Sequence, residues 1–293
     1  MAIADAAEGG STAQRMVLGS ELRRLREANG ISRGDAGKKI RGSESKISRM
    51  ELGRVALKVI DVEDLLTLYD VTEEDQRAEF IKMVEESNQP GWWVRFGDLV
   101  PKWFHNYVGL EESAARIQTF EMQFIPGLLQ TEAYARAVIA RAHPDAPQEE
   151  INRRVNVRMR RQRLLSRPRA PRVWAVLDEG ALKRRVGNKD IMKEQLENLQ
   201  VMSQQPTIAI QVVPFDRATT GAEVPFSLLR FAHPELADIV YIEYPTGALY
   251  LDKPAEVEMY VKVTHRLTAE AATPEESREI IKKAQLELDQ DDD

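Results

Sequence analysis

The chain has no cysteine, and only four of its 293 residues are histidine. Without cysteine it cannot form disulfide bonds, thiolate metal sites or a thiol nucleophile. The histidines do not fall in a metal-ligand spacing such as H-E-x-x-H, and neither a glycine-rich phosphate loop nor a G-x-S-x-G nucleophile motif is present. The sequence therefore predicts that the protein is not an enzyme and binds no metal or other cofactor.

Long apolar runs are also missing. No run approaches the roughly 20 residues that cross a bilayer, and the first 15 residues lack the basic segment and apolar core of a secretory signal. We therefore expect a cytoplasmic protein that has no membrane partner. Its length favours two domains.

The stretch from Ile31 to Gly53 has the pattern of two short helices joined by a turn. Ser32 and Ser43 are suitable N-caps, because a serine hydroxyl can accept a hydrogen bond from an unpaired first-turn amide. Gly42 is expected to take the left-handed conformation that ends the first helix, and Gly53 ends the second. The stretch therefore predicts a helix-turn-helix.

The second of these helices, from Glu44 to Leu52, has one apolar face and one polar face. Ile47 and Met50 lie three residues apart and share the inner face. The residues left outside are Glu44, Ser45, Lys46, Ser48 and Arg49. Because a helix-turn-helix inserts its second helix into the major groove of DNA, we predict that this helix reads bases.

Charge is unevenly distributed along the chain. The formal net charge is −6, yet residues 15–58 contain twelve basic and five acidic residues, a local charge of +7. Phosphate attraction is local, because charges are screened beyond about 8–10 Å at ordinary salt. An acidic protein with this basic segment is therefore compatible with DNA binding, and with nucleoid association when DNA is bound.

Helical patterns surround the predicted helix-turn-helix. A first helix from about Val17 to Ala28 carries a leucine stripe, and Arg23, Arg24 and Arg26 are expected to face away from that stripe. Residues 1–14 are small and polar and are predicted to be disordered. A fourth helix is expected near Asp61–Tyr69 and a fifth from Thr72, so the first domain, residues 15–88, is predicted to have five helices.

This order of helices resembles the Cro/C1-type (XRE family) DNA-binding domain of phage repressors. The residues that carry the resemblance are Leu22, Leu25, Ser32, Arg33, Gly42, Ile47, Ser48, Met50, Glu51, Gly53, Leu65 and Leu66. The resemblance implies that Arg33 clamps a phosphate and that Glu44, Ser45, Lys46 and Arg49 read bases of a double-stranded, palindromic operator. The full set of candidate DNA-binding residues is Arg33, Ser43, Glu44, Ser45, Lys46, Ser48, Arg49, Arg54 and Lys58.

The first helix of the motif departs from the family pattern. Ala36-Gly37 stands where Leu-Ala is usual, and Gly34 is a second glycine in the same helix. Each glycine weakens a helix interior by about 0.5–1 kcal/mol relative to alanine. The helix therefore either packs closer to its neighbour than usual or is looser.

Asn88-Gln89-Pro90-Gly91 marks the end of this domain. Three of the four tryptophans follow closely, at positions 92, 93 and 103. Aromatic side chains can stack on bases, but no basic run interleaves these residues. We therefore assign residues 89–106 to a seam between domains.

The remainder, residues 107–288, changes to a mixed pattern. Short apolar runs bounded by Pro, Gly or Asp predict strands at 173–177, 208–213, 226–231, 239–244 and 248–251. Helices are expected near 178–186, 190–203, 255–267 and 274–288. The predicted fold class is α+β, with an all-α first domain and a larger domain in which helices pack on a mostly antiparallel sheet. The acidic residues 289–293 are predicted to be a solvated tail.

The passage PGLLQT-x-x-YARA at 126–137 resembles the C-terminal domain of a large group of actinobacterial helix-turn-helix regulators, a domain of unknown function found in WhiJ-like regulators. Other passages fit it at 158–162, 177–182, 210–214, 226–229 and 240–243. The resemblance implies transcriptional control of development or secondary metabolism. The function predicted first is a regulator whose second domain forms a homodimer and receives a protein or small-molecule signal. The alternative is an antitoxin-like module that neutralises a small partner protein encoded nearby and represses its own promoter.

Two further features leave alternatives open. Residues 151–177 contain nine arginines and no acid, which suits a second phosphate-contacting surface, a dock for an acidic partner, or pairing with acids inside the domain. Asp178-Glu179 is a carboxylate pair that would carry the chemistry of an enzyme-fused sensor. Its position between a strand and a helix favours a helix cap instead.

Overall fold

A computed structural model describes residues 11–53, 55–89, 91–217, 223–232 and 236–290. The chain divides into two compact units. The first comprises residues 1–95, 105–114 and 231–237, and the second comprises residues 96–104, 115–230 and 238–293. The domain boundaries inferred from the sequence stay predictions.

The first unit begins with five α-helices in the predicted order. They are α1 (Ser11–Ala28), α2 (Arg33–Lys39), α3 (Glu44–Glu51), α4 (Val59–Leu68) and α5 (Glu74–Ser87). Their inward residues form one apolar core, which includes Leu18, Ile47, Leu66 and Phe80. The leucine stripe on α1 and the apolar face of α3 meet in this core, as the 3.6-residue period predicts.

Helix α1 begins earlier than the sequence indicates. It starts at Ser11, so residues 11–14 are helical and the prediction of a disordered tail through residue 14 is wrong for them. Gln14 is buried, and a Cβ placed on Gly53 would lie 2.6 Å from the Met16 backbone nitrogen. Packing against the end of α3 therefore extends the helix, and local composition does not reveal such a contact. Residues 1–10 lie outside the described residues.

Two of the tryptophans from the predicted seam pack within the first unit. A 3-10 helix spans Trp92–Phe96, and α6 spans Lys102–Ser113. The Trp92 and Trp93 rings meet edge to face with 5.8 Å between centroids. Trp93 is buried, and the Trp92 Nε1–H donates to Glu112 Oε1 over 2.7 Å. These contacts favour a structural role for this pair over base stacking.

The second unit is built on a six-stranded mixed sheet. Its strands are β1 (Arg116–Glu121), β2 (Arg172–Asp178), β3 (Ile208–Val213), β4 (Phe226–Arg230), β5 (Ile239–Tyr244) and β6 (Gly247–Leu251). Their spatial order is β3-β2-β1-β4-β5-β6. The pairs β1–β2 and β2–β3 are parallel, and the other three pairs are antiparallel. The α+β fold class and the mostly antiparallel sheet are confirmed.

Helices connect and cover these strands. They are α7 (Glu132–Ala142), α8 (Gln148–Gln162), α9 (Glu179–Lys183), α10 (Lys189–Met202), α11 (Pro254–Glu270) and α12 (Pro274–Gln290). One face of the sheet packs on α11, where the Phe226 and Tyr260 ring centroids lie 5.0 Å apart. The outer edge of β3 is partly covered, because Val212 N–H donates to Ser277 Oγ and its carbonyl accepts from Ala272 N. Helix α12 continues to Gln290, so the predicted acidic tail is helical at 289 and 290, and residues 291–293 lie outside the described residues.

The sequence does not single out β1, which lies near the centre of the sheet. Its residues 116–121 fall in a passage that we interpret from the sequence as a helix or a helix-to-strand transition. Gln118 and Thr119 interrupt its apolar pattern, although both are buried. A strand that buries polar side chains on both faces lacks the alternation by which half-buried strands are recognised.

Candidate nucleic-acid interface

The caps of the helix-turn-helix form as predicted. Ser32 Oγ accepts from Asp35 N, and Ser43 Oγ accepts from Lys46 N, each over 3.1 Å. Gly53 ends α3 as predicted and has a φ of 64°, and Gly30, which follows α1, has a φ of 63°, so both are in the left-handed conformation. Both ends of α3 are therefore fixed by local chemistry.

The turn itself differs from the prediction. The left-handed residue is Arg41, with φ of 52°, and not Gly42. A Cβ placed on Gly42 would lie 2.8 Å from Lys46 Cδ, so a side chain there would displace the flexible stem of Lys46. Because Gly42 has no side chain, the aliphatic part of the Lys46 side chain can pass across the turn.

Helix α3 is locked on its inner face. Ile47 and Met50 are each 1% exposed. On α1, Gly19 lies so close to α3 that a Cβ there would be 2.4 Å from the Met50 carbonyl oxygen and 2.6 Å from that of Glu51. These are backbone atoms of a helix and cannot move independently. Close backbone contact at Gly19, which no local sequence pattern indicates, fixes the distance between α1 and α3.

A buried ion-pair network ties α3 to α1 and α2. Glu51 Oε1 accepts from Arg26 Nε over 2.5 Å, and Glu51 Oε2 accepts from Arg33 Nε over 2.8 Å. The hydrogen bond that Arg26 donates to Glu51 raises the pKa of Arg26 above its ordinary value. Arg26 is buried, so the prediction that it faces away from the core is wrong. Its charge can be buried because Glu51 compensates it.

A second ion pair holds the other basic residue singled out as a base reader. Lys46 Nζ lies 2.7 Å from Asp61 Oδ2, at the start of α4. Asp61 is buried. The ammonium group of Lys46 is therefore directed towards α4, where it neutralises a buried carboxylate.

The remaining candidates face solvent to different degrees. Glu44, Ser45 and Arg49 are exposed, and Arg49 Nε donates to the Ser45 carbonyl oxygen over 3.3 Å. Ser43 and Lys58 are also exposed, whereas Ser48 is half-buried. Arg54 lies outside the described residues. The structure thus brings Glu44, Ser45 and Arg49 together on the outer face of α3, and their contact with DNA stays a prediction.

The part of the chain that the structure describes contains no group of three or more His, Asp or Glu side chains arranged to hold a metal ion. Among the same residues, no helix is long and apolar enough to span a membrane.

Comparison with protein families places this geometry in a known context. A model described as a helix-turn-helix domain matches residues 17–80, which span α1 to the first half of α5. A second model, described as a domain of unknown function (DUF5753), matches residues 104–283, more than half of the chain. The chain belongs to the DUF5753 family. No curated protein and no solved structure matches it.

Several of the nine arginines in residues 151–177 make side-chain contacts within the second unit. Arg153 pairs with Asp98 over 2.7 Å, and Arg154 pairs with Glu150 over 2.7 Å. Arg158 Nη1 donates to Gln130 Oε1 over 2.8 Å, and the guanidinium carbon of buried Arg161 lies 4.9 Å from the centre of the Phe104 ring. Two of these four arginines pair with acids, and the other two contact an amide and an aromatic ring, so for these four the structure supports contacts inside the second unit.

The carboxylate pair of the DUF5753 domain also has a structural role. Asp178 is the N-cap of α9, where its Oδ1 accepts from Gly180 N over 2.8 Å. Glu179 Oε2 accepts from Phe215 N over 2.9 Å. The expected cap is confirmed.

Proposed function

We propose that the protein is a sequence-specific DNA-binding transcriptional regulator without catalytic activity, which acts in the cytoplasm. In this proposal α3 reads the major groove of double-stranded DNA. The DUF5753 domain mediates homodimerisation and receives a signal. A dimer matches a palindromic operator, because a two-fold protein presents two reading helices to two half-sites.

The observation that carries the proposal is the contrast between the two faces of α3. Its inner face is fixed by buried Ile47 and Met50 and by the Glu51 ion pairs. Its outer face carries Glu44, Ser45 and Arg49, which make no contact with another helix in the hydrogen bonds and ion pairs of the described residues. A rigid helix with a free polar face meets the geometric requirement for reading base edges.

The ion pairs assign different tasks to the two basic residues singled out from the sequence. Arg33 uses Nε to bind Glu51 and remains one-third exposed, so its other N–H groups can still donate to a phosphate. Lys46 has a single ammonium group, which Asp61 holds. We therefore assign phosphate contact to Arg33 and base reading to Glu44, Ser45 and Arg49, with Lys46 as a brace between α3 and α4.

The test uses the full chain and a library of random duplexes. Selection is expected to enrich one sequence with two inverted half-sites about 10 bp apart. For the selected duplex, Arg49→Ala is expected to weaken binding by about 1–3 kcal/mol if Arg49 makes a bidentate base contact. Fluorescence anisotropy at fixed salt measures this change.

Arg141→Ala is the matched control, because it removes an equal charge from an exposed position on α7 in the second unit. It is expected to leave the affinity for the selected duplex close to that of the unmodified chain. Arg33→Ala and Lys46→Ala are poorer tests, since the first removes one of the two basic partners of buried Glu51 and the second removes the basic partner of buried Asp61, so both destabilise the fold. Enrichment of no sequence, or equal binding by Arg49→Ala and the unmodified chain, would contradict the proposal.

A further inference from the structure

One face of the central sheet in the second unit carries polar side chains where an apolar interior is the norm. Thr119, Ser227 and Tyr241 lie side by side on β1, β4 and β5. The Ser227 hydroxyl donates to Thr119 Oγ1 over 3.2 Å, and Thr119 Oγ1 lies 3.2 Å from the Phe226 carbonyl oxygen. All three residues are buried.

Two carboxyl groups extend this polar row. Glu121 and Glu243 each lie two residues beyond a member of the row, on strands that run in the same direction, so both project from the same face at the same end. Only β4 separates their strands, which places their backbones about 9–10 Å apart. A backbone separation of this size is compatible with one small group bridging the two carboxyls, of which Glu121 is half-buried and Glu243 is exposed.

The position in the sheet is one where ligands commonly bind. Glu121 is the last residue of β1, at the carboxyl ends of the parallel strands. In the sheet, β2 and β3 follow β1 on one side, and β4 is the neighbour of β1 on its other side. In open α/β sheets, ligands bind outside the carboxyl ends of the parallel strands, which is the end at which Glu121 lies.

Glu121 differs from the neighbouring polar groups because it has no partner. Protein surrounds it on nearly all sides, yet part of its surface remains accessible. Its carboxyl makes no hydrogen bond or ion pair with any of the described residues. Glu243, by contrast, accepts from the Tyr241 hydroxyl over 2.9 Å, and Arg158 is held by Gln130. A carboxyl that is largely surrounded by protein, is still reachable from solvent and has no partner can accept hydrogen bonds from a ligand.

We propose that Glu121 and Glu243 form a binding site for a small organic amine, whose ammonium group bridges the two carboxylates. An ammonium group carries three N–H donors and one positive charge, which satisfies both acids at once. Two carboxylates are few ligands for a divalent metal, which takes six or more oxygen ligands. The inference deepens the proposed function, because it names the chemical class of the signal that the DUF5753 domain receives.

Binding of the amine requires Glu121 to ionise. Burial, and after it the Glu243 carboxylate, raises the pKa of the Glu121 carboxyl to about 8, while Arg158 opposes the rise. Tyr134, on α7, is a further titratable group close to Glu121, and burial first of all raises its pKa to about 12. At pH 7 the empty site therefore holds a protonated Glu121, whose O–H proton passes to solvent as the ammonium group enters.

The test is a ligand-observed NMR titration of the full chain with n-butylamine, in the absence of DNA. The probes n-butanol and butyrate have nearly the same shape without the positive charge, and MgCl2 tests for a metal. We expect n-butylamine to bind and the other three probes not to bind. Because only the ionised fraction of Glu121 is competent, the affinity for n-butylamine should rise roughly 50-fold from pH 6 to pH 8.

Glu121→Gln keeps the shape of the side chain and is expected to lower the affinity for n-butylamine at least tenfold and to abolish its pH dependence. Glu243→Gln is a second variant with the same expected loss. Glu279→Gln, at an exposed position of α12, is the matched control and should bind n-butylamine as the unmodified chain does. Equal binding of n-butanol, binding of Mg²⁺ in place of the amine, or unchanged affinity in Glu121→Gln would overturn the inference. Because no DNA is present, such a failure would leave the DNA-binding proposal untouched.

Discussion

Gly34 and Gly37 offer a test in which one substitution, made twice in the same helix, should have opposite effects. Both glycines lie in α2. A Cβ added to Gly34 would meet only Ser32 Oγ, at 3.5 Å. A Cβ added to Gly37 would lie 3.0 Å from the Ser43 carbonyl carbon and 3.2 Å from Glu44 N, both backbone atoms at the start of α3.

These distances set the expected magnitudes. Alanine stabilises a helix interior by about 0.5–1 kcal/mol relative to glycine, so Gly34→Ala should stabilise the first unit by about that amount. Gly37→Ala has the same helical gain but forces α2 away from α3, and overpacking of this kind costs about 1–3 kcal/mol. Because the helical gain cancels between the two variants, Gly37→Ala should be the less stable of the two by about 1–3 kcal/mol.

Urea unfolding of the full chain measures the difference, and hydrogen exchange of the α2 and α3 amides shows whether it arises there. Gly37→Ala should accelerate exchange in α3 and weaken DNA binding, whereas Gly34→Ala should do neither. Equal stability of the two variants would refute the argument that Gly37 sets the distance between α2 and α3.

Two further predictions concern single residues. Arg41→Gly should raise the melting temperature, because it removes a left-handed non-glycine residue that costs about 1–2 kcal/mol, part of which the greater chain entropy of glycine offsets. Glu121→Gln should stabilise the chain increasingly as the pH rises. The folded pKa of Glu121, about 8, lies above its unfolded value, so the unmodified chain loses stability between about pH 4.5 and 8. At about 1.4 kcal/mol per pH unit, the advantage of Glu121→Gln should grow by about 2–3 kcal/mol from pH 5.5 to 7.5 in urea unfolding, and a constant difference would contradict it.

The helix-turn-helix could be predicted from the sequence because its signals are local. Ser32 and Ser43 cap helices that begin at the next residue, and Ile47 and Met50 report the buried face of α3 by their spacing alone. The sequence leaves two possibilities open at Gly37, closer packing of α2 or a looser helix, and only the structure distinguishes between them. The close backbone contact there favours closer packing.

The ion pairs could not be predicted in the same way. Arg26 and Glu51 are 25 residues apart, and Lys46 and Asp61 are 15 residues apart. On a helical pattern a basic residue that flanks an apolar stripe is normally solvated, so Arg26 is expected outside. Only the tertiary position of Glu51 makes the burial of Arg26 favourable.

The second unit shows where alternation fails as a signal. Strands β3 and β5 lie at the predicted residues, because their runs of branched and aromatic side chains are bounded by polar or turn residues. Strand β1 is different, since Gln118, Thr119 and Glu121 occupy buried or enclosed positions in it. The polar side chains that conceal β1 in the sequence are the ones that form the proposed amine site, so the missed strand and the inferred site have a common cause.

The treatment of buried acids elsewhere in the chain strengthens this inference. Glu21, Glu51 and Asp61 are all buried, and each has a basic partner within 2.8 Å. Glu121 has none among the described residues, although an unpaired enclosed carboxyl lowers stability at neutral pH. Arg158 lies near enough to influence Glu121 electrostatically, yet its Nη1 donates to Gln130 Oε1. A ligand that supplies a positive charge would offset this cost, as the basic partners do for Glu21, Glu51 and Asp61.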